Sequence, residues 1–259
     1  MFWDAILFDM DGTLIEVDMK RFLHDYFGYW QHLVAKHTDE PAEFVKKLIW
    51  ATDKMVENTD ENLTNEQAFW QAFSEGNWPY EIYKPIADSF YDNEFLLLQP
   101  LVKKRPGMVS LIQKLQGKTK LALATNSVFP KKAILSRLKW GGLQPDYFDF
   151  IASYEQMHYC KPRPGYFQEI TEFLNVDPKR CLVVGDDPQL DLVAHKLGMA
   201  TFFLDIATGQ DAEWDGEAIH VVTEDDRKKG REVADHFGDI TALEKFIFAG
   251  LRPKAEKDN

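Results

Sequence analysis

Apolar and polar positions change rhythm along this chain, and each rhythm predicts a different architecture. Residues 5–8, AILF, are apolar without alternation and run into Asp9. That predicts a short strand buried on both faces, as in the middle of a parallel sheet. Over 18–98 the spacing turns helical, with Phe22, Leu23, Tyr26, Phe27, Trp30, Leu33 and Val34 recurring three and four residues apart. Segments 42–57 and 64–76 continue in the same style, and Thr64 with Gln67 fits a capping box. Segment 82–95 predicts another helix, with Pro85 near its start. Nothing in 18–98 reads as a strand.

Beyond 104–108, KRPGM, strands and helices alternate. Strands are predicted at 121–124, 150–152, 181–184 and 200–204, with an edge strand at 219–222. Helices are predicted at 108–115, 131–138, 165–174 opened by Pro164, 190–197 and 241–249. Such alternation implies an α/β fold, a doubly wound parallel sheet covered by helices on both faces. Ligands of such sheets sit at the carboxyl ends of the strands. The expected division is a core from 1–17 and 99–250, a helical module at 18–98, and a disordered tail at 251–259. No internal repeat is visible.

Composition narrows the class of partner. The chain has 259 residues, 45% hydrophobic and 14% aromatic, which argues against disorder and allows one large core, or a core domain plus a smaller one. Its net charge of −12 argues against nucleic acid or an anionic membrane as partner. An anionic substrate would therefore need a metal ion or a local cluster of cations. Cys160 and Cys181 lack metal-type spacing and are too few for a disulfide framework, so both read as reduced thiols of a cytoplasmic protein. No signal peptide or membrane-spanning stretch is read from the sequence.

Chemistry-bearing residues gather where the predicted strands end. The first strand ends at Asp9, with Asp11 and Thr13 just beyond; LALATNS ends at Thr125, Asn126 and Ser127; CLVVGDDPQLD ends at Asp186 and Asp187, with Asp191 following. HYCKPRPGYF adds Lys161 before a proline-initiated helix. A parallel sheet brings these groups into one crevice. Asp9 and Asp11 so close together repel and lose hydration unless a cation or a proton offsets them.

DMDGTL, a hydrophobic strand ending in Thr-Asn, a Lys-Pro pair and GDDPQLD, in that order, resemble the four motifs of the haloacid dehalogenase-like hydrolase superfamily. The likeness is to its phosphatase branch, which carries a helical cap after the first motif. The resemblance implies a Rossmann-like core, an inserted cap, Mg²⁺ as cofactor and a small phosphorylated metabolite as partner. Asp9 would attack phosphorus and form an aspartyl-phosphate. Asp11 would give a proton to the leaving oxygen and later take one from water. Asp9 and Asp186 would offer Mg²⁺ side-chain oxygens and Asp11 its backbone carbonyl. Thr125 and Asn126 would bind phosphate oxygens, and Lys161 would neutralise them. Asp187, Asp191 and Thr13 are supporting residues: Asp187 holding a metal-bound water, Asp191 orienting Lys161 or favouring a helix N-terminus. Ser127 is expected to cap the following helix and Arg163 to be solvated. Any of Lys20, Arg21 or His24, just after the first hinge of the cap, could reach the substrate, and none is singled out.

Dehalogenases of the superfamily lack the second aspartate of the first motif, so Asp11 favours phosphoryl transfer. A phosphomutase of the β-phosphoglucomutase type would use the same motifs. A receiver-like signalling module would be shorter and lack the helical insert. A non-catalytic phosphate-binding protein would be expected to have lost a motif carboxylate.

Overall fold

The computed structural model describes residues 2–206 and 222–249. Its main sheet contains β1 (Ala5–Phe8), β4 (Lys120–Leu123), β5 (Phe150–Ile151), β6 (Cys181–Gly185), β7 (Ala200–Leu204) and β8 (His236–Gly238). All pairs are parallel, in the order β5-β4-β1-β6-β7-β8. Strand β1 is central: Ala5 pairs with Lys120 and Cys181, Phe8 with Leu123 and Val184. Every residue of β1, β6 and β7 is buried, which is why β1 and β6 read as unbroken apolar runs and β7 is interrupted only by Thr201.

Alternate residues of the strands feed opposite layers. Ile6, Phe8, Leu121, Leu123, Leu182 and Val184 pack with α5 (Met108–Leu115), α6 (Lys131–Trp140) and α9 (Ile240–Ala249). Ala5, Leu7, Ala122, Cys181 and Val183 pack with α7 (Pro164–Leu174) and the 3₁₀ turn Leu192–Leu197. The sheet is thus covered on both faces. Strand order reverses on either side of β1, so the crevice beyond its carboxyl end is where a ligand site belongs.

The helical insert leaves and rejoins the core through a two-stranded antiparallel ribbon of β2 (Ile15–Val17) and β3 (Val102–Lys104), with Val17 opposite Val102. Between them lie α1 (Met19–Val34), α2 (Pro41–Glu57), α3 (Asn65–Phe73) and α4 (Tyr80–Asp92). The Asp18 carboxylate starts α1 by accepting from the Arg21 N–H at 3.0 Å, and the Thr64–Gln67 capping box forms. Aromatics on the inner faces make the insert's own core; the Trp30 and Phe90 rings stack 3.9 Å apart.

The predicted elements recur with a few differences. The predicted helix 190–197 is only a 3₁₀ turn. Pro85 lies inside α4, which begins earlier than predicted. Residues 219–221 of the predicted edge strand and the tail 251–259 lie outside the described residues. Strands β2, β3 and β8 have three residues each, too few to show a period. Helix α8 (Glu224–Val233), EDDRKKGREV, has almost no apolar stripe to reveal it.

Candidate active site

The crevice is assembled from the ends of β1, β4, β5 and β6. The Asp9 N–H still belongs to the sheet, donating to Val184 O at 2.9 Å; the chain then turns tightly, with Ile15 N–H returning to Met10 O at 3.0 Å. Gly12 takes the left-handed φ of +75° within that turn, and a Cβ there would lie 1.9 Å from Oδ2 of Asp186. Only glycine lets the β6 carboxylate come up against the turn. On the same side, Thr13 donates its hydroxyl to Asp186 Oδ1 at 3.1 Å.

Lys161 comes from the other side. Its ammonium lies 2.8 Å from Asp9 Oδ1 and 2.5 Å from Asp191 Oδ1, and its side chain is 1% exposed. Its own backbone N–H donates to Asn126 Oδ1 at 3.1 Å, which ties the Lys161 loop to the loop after β4. The Tyr166 hydroxyl secures that second loop by donating to Thr125 O at 2.5 Å. Asp191 is held twice, by Lys161 and by the Asp187 N–H on Oδ2 at 3.2 Å, and it lies where a Cβ on Gly185 would collide with it.

Among the described residues, Asp9, Asp186 and Asp191 each offer a carboxylate oxygen, all within 4.8 Å of one another. Burial raises the Asp9 pKa; Lys161 opposes the rise and Asp11 adds to it. Asp186 is pushed well above the ordinary carboxylate range, by burial first and then by the charges of Asp9, Asp191 and Asp187. Asp191 is raised to about 7, by burial acting against Lys161. Burial alone would lower the Lys161 pKa, but Asp191 and Asp9 outweigh it and raise it. The crevice therefore carries more anionic charge than Lys161 offsets. Hard oxygen donors in a partly buried, under-compensated cluster suit Mg²⁺. With both Asp191 oxygens engaged, Asp9 and Asp186 are the better placed donors, and the residues fit such an ion.

Most of the remaining expected residues have definite partners. Asp187 Oδ1 accepts from the backbone N–H groups of Gln189 (2.8 Å) and Leu190 (3.1 Å), closing the loop after β6. Ser127 does not cap α6, whose N-cap is Pro130. It is buried, receives Asn65 Nδ2 at 2.8 Å and donates to Tyr159 O at 3.1 Å, stitching the insert to the core. Arg163 is not merely solvated either. It donates to Glu57 O at 2.7 Å, at the carbonyl end of α2, where a cation complements the helix dipole. Lys20, Arg21 and His24 lie on the exposed side of α1, where Arg21 and His24 both engage Asp25. Burial pushes the thiols of Cys160 and Cys181 up to about 12, which removes them as nucleophiles at neutral pH.

Two buried arginines whose charges face the crevice carboxylates have no counterpart in the sequence reading. Asp11 Oδ1 is bound by Nη2 of Arg137, from α6. Arg105, after β3, is also buried; burial lowers its pKa, while the charges of Asp186 and Glu16 raise it. A signal for Arg137 was present in the helical spacing, since it stands three and four residues after Ile134 and Ala133, on the stripe that α6 buries.

The sequence model of haloacid dehalogenase-like hydrolases matches residues 3–198, and a HAD-hydrolase-like model matches 158–240. The chain is 28% identical over 209 residues to pyrimidine 5'-nucleotidase YjjG of Escherichia coli, covering 79% of this chain and 87% of that one. It is 23% identical over 184 residues to a phosphorylated carbohydrates phosphatase of Thermotoga maritima, covering 71% and 76%. In fold it resembles the crystal structure of a 2-haloacid dehalogenase from Pseudomonas syringae, with a TM-score of 0.59 at 18% identity over 96% of this chain and 100% of that one. The chain belongs to the haloacid dehalogenase-like hydrolase family.

Proposed function

We propose that this hydrolase is a Mg²⁺-dependent phosphatase that cleaves a small phosphorylated metabolite through an aspartyl-phosphate on Asp9. The observation that carries the reading is the placement of Asp9 between the Lys161 ammonium, 2.8 Å from it, and the Asp186 carboxylate of the oxygen cluster. Asp9 and Asp186 would hold Mg²⁺, together with the Asp11 carbonyl on the family pattern. When bound, the ion neutralises carboxylate and phosphate charge and orients the phosphoryl group.

A carboxylate oxygen of Asp9 bonds to phosphorus as the ester P–O bond breaks, and Asp11 delivers its proton to the departing oxygen. Water then attacks the same phosphorus while Asp11 takes its proton. The acyl-phosphate P–O bond breaks, returning Asp9 as a carboxylate and releasing inorganic phosphate. Lys161 balances charge on the phosphoryl oxygens, and Asp191 keeps Lys161 pointed at them. Thr125 and Asn126 sit at the end of β4 where a hydroxyl and a backbone N–H can bind phosphate oxygens. Asp11 favours this chemistry over carbon–halogen cleavage, because a departing halide needs no proton.

The insert, residues 18–98, is read as a cap over the leaving group. A small cavity bounded by Tyr26, Trp30, Phe69 and Tyr91 of the insert and by Val128 and Tyr154 of the core lies within the insert's aromatic packing, and none of the crevice residues lines it. Nucleotides and sugar phosphates head the substrate panel, because they are the substrates for which the two relatives are named. No helix among the described residues is long and apolar enough to cross a membrane, and a cytoplasmic site of action belongs to the same proposal. The test is Mg²⁺-dependent release of phosphate from p-nitrophenyl phosphate, then from that panel. Turnover that persists in Asp9→Asn would refute the nucleophile, and release of an isomeric sugar phosphate in place of inorganic phosphate would favour a mutase.

A further inference from the structure

Arg137 is the feature this mechanism leaves unused. Its residue is 1% exposed, and its Nη2 binds Asp11 Oδ1. Asp11 is the anion it pairs with among the described residues, and its Nε has no hydrogen-bond partner. Two aromatic rings flank the guanidinium: Phe22 of α1 at 5.1 Å and Phe129 of the loop before α6 at 5.4 Å from ring centroid to Cζ. One ring comes from the insert and the other from the core.

We infer that Arg137 is a positioning residue for Asp11: held between Phe22 and Phe129, it fixes the carboxyl by Oδ1 and leaves Oδ2 to exchange the proton. A buried guanidinium with one hydrogen-bonded anion and two aromatic contacts has little rotational freedom, so it sets the direction of the carboxyl it binds. Because Phe22 belongs to the insert, the seating of α1 is part of what fixes the acid. The inference rests on the phosphatase reading for the role of Asp11, and on the geometry for the pair itself.

The test is kcat/KM on aryl phosphates of graded leaving-group basicity, from p-nitrophenyl to phenyl phosphate. This parameter reports steps up to departure of the phenol, where a proton is needed most by the more basic leaving group. Arg137→Gln should lower the phenyl phosphate value about tenfold or more beyond its effect on p-nitrophenyl phosphate, as Asp11→Asn does. Phe22→Leu should give a smaller change of the same sign, and Arg137→Lys should recover part of the loss. A purely structural arginine would depress all substrates equally, and that result overturns the inference. A second measurement needs no turnover: the Tm effects of Arg137→Met and Asp11→Asn should depart from additivity by about 2 °C or more. Additive shifts also overturn it. A wild-type chain inert on every aryl phosphate would instead sink the phosphatase reading, with the pair still judged by the Tm cycle.

Discussion

Lys161 and Asp9, 152 positions apart in sequence, meet with Nζ 2.8 Å from Oδ1 at the carboxyl edge of the sheet. The same ammonium touches Asp191, and lysine and Asp191 are each 1% exposed. Removing the lysine leaves Asp191 buried without its counter-charge, so it must either take up a proton or stay charged and unsolvated, at a cost of up to about 3–5 kcal/mol. Lys161→Met should therefore lower the urea unfolding free energy by an amount of that order and abolish phosphatase turnover. A variant of wild-type stability would mean that water reaches Asp191 and that the ammonium is not structurally required.

Asp9→Asn should behave in the opposite way toward stability. Burial raises the Asp9 pKa against the pull of Lys161, so the folded environment disfavours its charge on balance. A neutral amide of the same shape should fold at least as stably without Mg²⁺ while losing all turnover. Thermal melts in EDTA beside a phosphate-release assay would read both effects. An inactive protein with a much lower Tm would point to misfolding and leave the nucleophile assignment without support.

Much of this site was legible because its carboxylates and Lys161 stand next to strand ends or prolines that the hydrophobic pattern marks. Asp9 and Asp186 each end an apolar run, and Lys161 precedes the proline-initiated α7. What stayed hidden depends on contacts between distant segments. Ser127 stands where a helix cap would, but Asn65 of the distant insert binds its hydroxyl, and Arg163 stands in a polar loop, but the end of α2 takes its guanidinium. The partner of Asp11 comes from a helix 126 positions away, a distance that no local pattern encodes. Strands β2 and β3 are visible only as a pair, since three residues carry no readable period.

Acidity should trade against the metal. Asp9 and Asp186 have folded pKa values above the ordinary 3.8, and Asp191 is raised to about 7. In this window the folded state binds more protons than the unfolded chain, so metal-free stability is full at low pH and is lost as pH rises through the raised values. A metal ion needs the same oxygens deprotonated, so its binding strengthens in that direction. The rise in Tm on adding Mg²⁺ should thus be larger near pH 8 than near pH 5.5, and EDTA melts should fall between those values. Equal Mg²⁺ shifts at both pH values would show that these carboxylates do not bind the ion.

Gly12→Ala should damage the carboxylate cluster through backbone and side chain together. The residue has φ of +75°, where a side chain costs roughly 1–2 kcal/mol, and its Cβ would lie 1.9 Å from Asp186 Oδ2. Asp186 would have to move, giving up the Thr13 hydroxyl and its place beside Asp9. Gly117 supplies the control: its φ is +70°, but nothing lies within 4 Å of a Cβ there. Gly117→Ala should lose stability through the backbone alone and keep its full Mg²⁺-dependent rise in Tm. Gly12→Ala should lose more stability and most of that rise. If the two variants respond alike to Mg²⁺, the close approach of Asp186 to the turn is not what builds the binding site.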